Sequence, residues 1–335
     1  MRYFILCTFL FFSSCEPGAV FEKNACDLCR EDQTCVENEE CIDNSRICAD
    51  TICEENELCH NDLCYENTLR FLKIATFNMY DFSNYDSIEN TADFIIENNI
   101  GIINLQEVQI DDITDLMDTL EQKNFQMYYG ISSYGGYGGD TGNDYLAVLS
   151  QWPITSADTI LGGVYEDPVT GLDYSFSNMR PILMTKVNIY NQDVVFFNMH
   201  LKAEVPYPDC VDCINKRRAQ AHALENYILD NLDPLNDRIV VTGDANTAID
   251  EDFENGNTID ILCMKTDNPE NTSNDFLPVN LTYAPESTHV DFDSILDHLI
   301  ISPSLVDNYI FESIDIKIPR GIPSDHKSVL LEFWF

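Results

Sequence analysis

Positive charge is what this chain of 335 residues has least of: 18 lysines and arginines stand against 58 aspartates and glutamates, a formal net charge of −40. Affinity for a polyanion comes largely from cationic side chains that displace condensed counterions. So acidic a chain therefore excludes loose, non-specific association with nucleic acid or with an anionic membrane. A specific nuclease is not excluded, because a divalent metal and a few local arginines reverse the sign at a cleft. The acidity otherwise reads as a solvated surface suited to a salty medium, where screening lengths shrink to a few ångströms. Long hydrophobic runs are also missing: the apolar stretch within the first 12 residues is too short to span a bilayer, and no other run is long or apolar enough to cross one. The glycine-rich segment 134–142 lacks the Lys-Ser/Thr ending of a phosphate loop, which excludes a nucleotide cradle there. It reads as an exposed connector or a mobile loop facing substrate.

What is present suits a large core, since 44% of residues are hydrophobic and 11% aromatic. Arg2, the apolar run Tyr3 to Phe12 and Ser13-Ser14-Cys15 have the layout of a secretory signal over residues 1–15. Small residues just before a cysteine also resemble a bacterial lipoprotein signal, in which Cys15 would be acylated and anchor the protein in the cell envelope, at the outer membrane. Phe12 stands where that pattern usually has leucine, so plain secretion is the alternative. Of 13 cysteines, eight crowd into 26–64. There Cys35-Val-Glu-Asn-Glu-Glu-Cys41 is echoed by Cys53-Glu-Glu-Asn-Glu-Leu-Cys59. A segment so polar, 16–68, needs cross-links rather than burial to hold a shape. Export makes disulfides the expectation and zinc the competing reading, for a spacer or a small binding module. Cys210 and Cys213 are expected to tighten a loop by a disulfide, leaving Cys263 unpaired and buried.

From residue 69 the composition changes to that of one large domain, 69–335. Strands are expected at 71–77, 101–105, 144–150, 182–189, 193–198, 238–242, 298–302 and 328–334. Helices are expected at 87–98, at 111–122 with an acidic start that suits its dipole, and at 215–230 with Ile214, Ala221, Leu224, Ile228 and Leu229 as its apolar stripe. Short strands, polar loops and interspersed helices point to an α/β fold of two packed sheets covered by helices.

Polar motifs end the hydrophobic runs: TFNMYDF at 76–82, NLQEV at 104–108, NMHLKAE at 198–204, VVTGDAN at 240–246, ILDHLIIS at 295–302 and SDHKSV at 324–329. Each alone is weak, and an isolated Gly-Asp-x-Asn is more often a turn. In this order they resemble the motifs of the endonuclease/exonuclease/phosphatase superfamily, the pancreatic-deoxyribonuclease-like hydrolases, over roughly 71–335. The resemblance implies a four-layered α/β sandwich and a metal-dependent phosphoesterase. It makes Glu107 the principal ligand of Mg2+, or of Mn2+ or Ca2+, with Asn78 beside it and Asp325 completing the sphere. It assigns Asp244 and Asn246 to orienting the attacking water and binding a phosphate oxygen, and His200 to facing the substrate from the second sheet. One departure stands out: pancreatic-type members carry a glutamate before the strand matching 145–149 that supports this histidine, and here Asn143 and Asp144 occupy that stretch, with Asp144 the candidate.

Phosphate ester hydrolysis needs neutralised oxygens, an oriented water and a proton or metal for the leaving group. Asp297 can accept a hydrogen bond from His326, fixing its tautomer and favouring a cationic ring that contacts phosphate. Lys202 and Arg180 can supply charge to the phosphoryl oxygens. Whether Asp244 or a histidine takes the water's proton stays open. His298 is expected to point to the opposite strand face and be structural, and His222 and His289 to be surface or core residues. The reading is an exported, monomeric phosphodiesterase whose substrate is a phosphodiester, DNA or RNA among them. The alternatives are a sphingomyelinase-like lipid phosphodiesterase, which finds no apolar hairpin for entering a membrane, and a noncatalytic surface protein that keeps the scaffold for binding.

Overall fold

In the larger part of the chain, alternate strand residues are buried against two different neighbours, so each sheet is covered on both faces. The computed structural model describes residues 71–80, 85–133, 144–160, 163–175, 179–203, 212–247, 258–267, 270, 272–291, 293–306 and 313–334, together with short strands between 33 and 66. Two compact units divide the chain, Met1–Leu69 and Arg70–Phe335.

Among its described residues the first unit contains three antiparallel strand pairs: Gln33–Val36 (β1) with Glu40–Asp43 (β2), Ile47–Cys48 (β3) with Thr51–Ile52 (β4), and Glu57–His60 (β5) with Leu63–Glu66 (β6). Cys35 lies opposite Cys41 in register, whereas Cys59 lies opposite Cys64 rather than Cys53, so the two copies of the sequence repeat are not used alike. The leader 1–15 with Cys15, the bonding state of the cysteines at 26–64 and the glycine-rich 134–142 lie outside the described residues.

In the second unit, one sheet is built from Phe71–Asn78 (β7), Ile100–Val108 (β8), Tyr128–Ile131 (β9), Tyr145–Ser150 (β10), Asp315–Lys317 (β19) and Ser328–Trp334 (β20), in the order β19-β20-β7-β8-β10-β9. The other comprises Ile154–Ile160 (β11), Ile182–Ile189 (β14), Gln192–His200 (β15), Arg238–Asp244 (β16), Leu277–Pro278 (β17) and Asp297–Ile301 (β18), in the order β11-β14-β15-β16-β18-β17. Both sheets are mixed: β7 runs parallel to β8 and β15 parallel to β16, and the other pairings are antiparallel. A separate hairpin joins Val164–Asp167 (β12) to Leu172–Ser175 (β13).

Leu72, Ile74, Ile102, Val148, Phe196, Val240, Leu299 and Leu331 form the core between the sheets. The opposite face of the first sheet, with Ala75, Phe77, Ile103 and Leu105, is covered by Tyr85–Glu97 (α1) and Ile110–Gln122 (α2). The opposite face of the second, with Val195, Phe197, Ile239 and Val241, is covered by Cys213–Asn231 (α3) and Thr258–Leu262 (α4). Short helix Val279–Tyr283 (α5) packs on β18, and Pro303–Val306 (α6) packs on β16. The result is the four-layered α/β sandwich. Among the described residues no helix is long and apolar enough to cross a membrane.

Two expectations are corrected. Strands β9, β11, β12, β13, β17 and β19 were not legible, because most are short or half-exposed edge elements. The stripe of α3 also differs: Leu229 is 38% exposed, while Arg217, Arg218, Gln220 and Glu225 are buried. These polar groups have partners to meet. Arg218 forks onto both oxygens of Asp167 at 2.7 Å, which fastens the β12–β13 hairpin, and Thr266 donates to Glu225 at 2.8 Å. Cys263 is free and buried, as expected. Cys213 is disulfide-bonded, and Cys210 lies outside the described residues.

Gly243, one residue before the end of β16, holds φ at +123°, and a Cβ there would collide with the Met199 carbonyl oxygen of β15. Gly243→Ala is expected to cost about 3 kcal/mol or more. The check is the urea midpoint of the full chain; an unchanged midpoint would show that β15 and β16 part without loss.

Candidate active site

Strand periodicity carries six polar side chains into the space between the sheets. Asn78 follows Leu72 and Ile74 at two-residue steps, and Gln106 likewise follows Ile102. Asn198 and His200 follow Phe196, Asp244 follows Val240, and Asp297 precedes Leu299 and Ile301. All six lie at one end of the sandwich, since residues 200, 244 and 297 are in register across β15, β16 and β18, and 78 is in register with 106.

Glu107 would face away by this rule. Its backbone is instead left-handed, φ +55°, and the pairing with β10 slips there, Tyr145 facing Val108 and Ala147 facing Leu105. Such a bulge re-aims one side chain out of phase with its strand. Asn246 is also left-handed, φ +52°, just after β16; its backbone N–H caps Asp244 Oδ1 at 2.7 Å and its side-chain amide donates to the Leu201 carbonyl at 3.1 Å.

A line of contacts joins the two sheets. The Asn78 amide donates to Asp244 Oδ2 at 3.1 Å and lies 3.3 Å from Glu107 Oε1. Asp244 Oδ2 stands 3.7 Å from His326 Nε2, and His326 Nδ1 bonds to Asp297 Oδ2 at 2.8 Å. Ser324 closes the loop, accepting from the His326 N–H at 3.0 Å and donating to the Asn78 carbonyl at 2.7 Å. Thr288 Oγ1 accepts the N–H groups of Leu296 and Asp297, fixing the start of β18.

Burial works against a charged His326, but the Asp297 and Asp244 carboxylates outweigh it and raise its pKa to about 10. Asp244 is pushed up by burial and by Asp297, with the His326 charge opposing. Burial raises Glu107 to about 7 even though Arg180 stands nearby. His200 goes the other way. Burial, then Arg180, His326 and Lys202, hold it well below the usual imidazole range. Its distances of 3.5 Å to Glu107 and 3.4 Å to Asp244 are therefore contacts of a neutral ring, not ion pairs.

Asp144 is not the support for His200. It pairs with Arg180 at 3.0 Å, and Arg180 Nη1 lies 2.8 Å from His200 Nε2. A guanidinium only donates, so Nε2 accepts and the proton sits on Nδ1, which meets no partner among the described residues. The departure from the pancreatic pattern is thus a rewiring: a carboxylate orients an arginine, and the arginine fixes the tautomer of the histidine. Lys202 is held by its backbone, donating to Gln220 Oε1 at 2.7 Å and accepting from Arg217 at 3.0 Å. Gln220 also donates to the Arg180 carbonyl at 3.1 Å, so one buried amide spaces both cations.

Asp325 joins the cluster through its Oδ1, 3.9 Å from His326 Nε2. His289, which no motif marked, is here too, 5% exposed, with its ring edge-on to His326 at 5.2 Å and Nε2 3.4 Å from Asp325 Oδ2. Only the backbone bridge between residues 289 and 326 brings it in, a register invisible in the sequence. His298 points to the other face, bonds to Thr247 at 2.8 Å and is depressed to about 4 by burial. His222 lies on α3 against the Glu166 carbonyl, away from this cluster.

Oxygen donors dominate the cleft, which suits a hard divalent cation. The fit rests on two observations. Asp325 Oδ1 is buried with no hydrogen-bond partner among the described residues, and Glu107 lacks enough positive charge to stay ionised at its ordinary pKa. Asp244, Asp297 and His326 also lie close enough to surround an ion, but there the protonated ring already fills the gap.

Residues 75–326 match the model of the Endonuclease/Exonuclease/phosphatase family. Among curated proteins none matches significantly. Among solved structures, an endonuclease/exonuclease/phosphatase from Bacteroides vulgatus is similar, with 17% identity over 78% of this chain and 98% of that one and a TM-score of 0.55. An AP endonuclease from Archaeoglobus fulgidus has 17% identity over 78% and 99%, TM-score 0.52. A sphingomyelinase C from Streptomyces griseocarneus has 13% identity over 79% and 99%, TM-score 0.50. At such identities the likeness speaks to the fold.

The raised pKa of Glu107 has a stability consequence. Its ionised form is disfavoured in the folded state, so the metal-free protein loses stability as pH rises from 4.5 to about 7. Glu107→Gln is expected to stabilise the metal-free protein by about 2–3 kcal/mol above pH 7 and by little below pH 4.5. Chemical denaturation with chelator at both pH values checks this; equal stability of the two proteins above pH 7 would remove the burial argument.

Proposed function

The chain belongs to the endonuclease/exonuclease/phosphatase family of metal-dependent phosphoric ester hydrolases, and on that footing we propose a phosphodiesterase that cleaves nucleic acid or another extracellular phosphodiester. The observation that carries the reading is the unbroken line Glu107, Asn78, Asp244, His326, Asp297 between the sheets.

Glu107 and Asp325 would hold Mg2+, or Mn2+ or Ca2+, which when bound supplies charge stabilisation to the phosphoryl oxygens, and Asn78, whose amide N–H groups face Glu107 and Asp244 while its Oδ1 accepts the Tyr80 N–H at 3.0 Å, would orient Glu107 beside the ion. Asp244 is the general base: burial raises its proton affinity, and Asn78 and Asn246 hold one oxygen each, which leaves its carboxylate oriented toward a water. His326 keeps a proton that Asp297 helps retain, and its Nε2–H faces the cleft to donate to a phosphoryl or departing oxygen. Arg180 brings a fixed positive charge, oriented by Asp144 on one side and His200 on the other. Lys202 supplies a second, half-buried cation, and the second N–H of the Asn246 amide is left for a phosphate oxygen. His200 thus acts by positioning Arg180 rather than as a cation.

Export belongs to the same proposal. It is supported by the leader-like residues 1–15 and the cysteine-dense 16–68, with Cys15 as a lipid anchor and the cysteines cross-linked outside the cytoplasm. Cys15→Ser is expected to move the protein from the membrane to the soluble fraction; retention at the membrane would refute the anchor.

His326→Ala and Glu107→Ala are each expected to lower turnover by roughly 10²- to 10⁴-fold with the circular dichroism spectrum kept. The panel is DNA, RNA, sphingomyelin and bis(p-nitrophenyl) phosphate, with Mg2+, Mn2+ or chelator, over a range of salt. Full turnover by either variant, or equal product with chelator, would overturn the site. Cleavage of sphingomyelin without nucleic acid would replace the substrate class.

A further inference from the structure

We infer that His289 is a positioning residue that holds one oxygen of Asp325 and so presents the other to the metal. The inference rests on the metal reading of Glu107 and Asp325 above. It is argued from how the ring is held. The Asp291 backbone N–H donates to His289 Nδ1 at 3.1 Å, so that nitrogen is an acceptor and the neutral ring carries its proton on Nε2. Nε2 in turn stands 3.4 Å from Asp325 Oδ2, a polar contact between the ring and that oxygen. The other oxygen, Oδ1, is buried and has no hydrogen-bond partner among the described residues. One oxygen held and one offered is the arrangement a ligating carboxylate needs.

The same tautomer excludes the rival reading. His289, Asp325 and His326 place their donor atoms within 4.8 Å of one another and by composition resemble a separate two-histidine, one-carboxylate metal site. A histidine that ligates through Nε2 has its proton on Nδ1 and donates it; here Nδ1 receives one. His326 is likewise engaged on both sides, its Nδ1 bonded to Asp297 at 2.8 Å and its Nε2 facing the carboxylates of Asp244 at 3.7 Å and Asp325 at 3.9 Å. The two rings meet edge to face at 5.2 Å, so His289 also walls the His326 side of the cleft.

Backbone pairing makes the placement stiff. The Val290 N–H donates to the Asp325 carbonyl and the Lys327 N–H to the Thr288 carbonyl, both at 2.7 Å, and Ser287 Oγ donates to the His289 carbonyl at 2.8 Å. A short ladder thus locks residues 288–290 to 325–327. The histidine cannot drift without moving the SDH loop itself.

The test measures metal binding directly, by Mn2+ electron paramagnetic resonance titration of the metal-free protein. His289→Phe keeps the ring shape and removes the N–H; it is expected to weaken Mn2+ binding by roughly 10- to 100-fold. His289→Gln, which retains a donor, is expected to recover most of that loss. In a phosphodiesterase assay the half-saturating Mn2+ rises in the Phe variant by more than kcat falls. Wild-type affinity in the Phe variant, with binding abolished in Glu107→Ala, would overturn the role of His289 alone. Wild-type affinity in both variants would overturn the metal reading and this role with it. Should the Phe variant fail to fold, the tautomer decides in the wild-type protein: long-range 1H–15N correlation is expected to find the His289 proton on Nε2, and a proton on Nδ1 would overturn the inference.

Discussion

Two carboxylates placed side by side between apolar sheets would repel each other, and a single imidazolium makes the arrangement tolerable. Asp244 and Asp297 are directly opposite on β16 and β18, almost fully buried. Like charges about 4 Å apart cost about 4 kcal/mol at the effective dielectric of such sites. His326 answers both, bonded to Asp297 at 2.8 Å and 3.7 Å from Asp244. The attraction exceeds the penalty of burying the ring, which is why the ring keeps its proton far above the usual range. The pair thereby dictates where residues 324–326 must run. Ser324 then ties that loop to Asn78, and Asn78 orients Glu107 and Asp244.

The sheets that carry these groups are pinned by amides rather than by apolar contact alone. Gln106 donates to Asn198 Oδ1 at 2.7 Å across the interface, and the Asn198 amide returns to the Leu105 and Ala147 carbonyls at 2.8 and 2.9 Å. Apolar side chains tolerate sliding; a buried amide with fixed partners does not, because a lost partner leaves a desolvated polar atom. The spacing between Glu107 on one sheet and His200 and Asp244 on the other is set this way. Gln106 and Asn198 thereby tie the two halves of the site together.

Strands rich in apolar residues were legible: the expected boundaries 182–189 and 328–334 coincide with β14 and β20. Edge strands such as β9 and β11 were not, since half-exposed residues alternate there without a strong period. The helix at 213–231 was located but its face misjudged, because Arg217 and Gln220 are buried on backbone partners that lie far away in sequence. The motifs that end the runs do meet at one end of the sandwich, as periodicity requires. What they could not convey is wiring. That Asp144 holds Arg180, and that His289 reaches Asp325, follow from register and from a bulge, and neither leaves a mark in the local sequence.

The charge of the cleft explains why fold and metal belong together. Glu107, Asp144, Asp244, Asp297 and Asp325 face Arg180, a protonated His326 and a half-buried Lys202, with His200 neutral. The shortfall of positive charge shows in the raised proton affinities of Glu107 and Asp244, which burial produces and the available cations do not cancel. Any cation that binds this end of the folded chain and not the unfolded one stabilises the fold by mass action. Bulk salt cannot take its place, because screening weakens charges on the surface of a −40 protein far more than charges sealed between two sheets. The acidic surface and the acidic cleft are therefore separate problems. Counterions settle the first, and a cation bound within the cleft would settle the second.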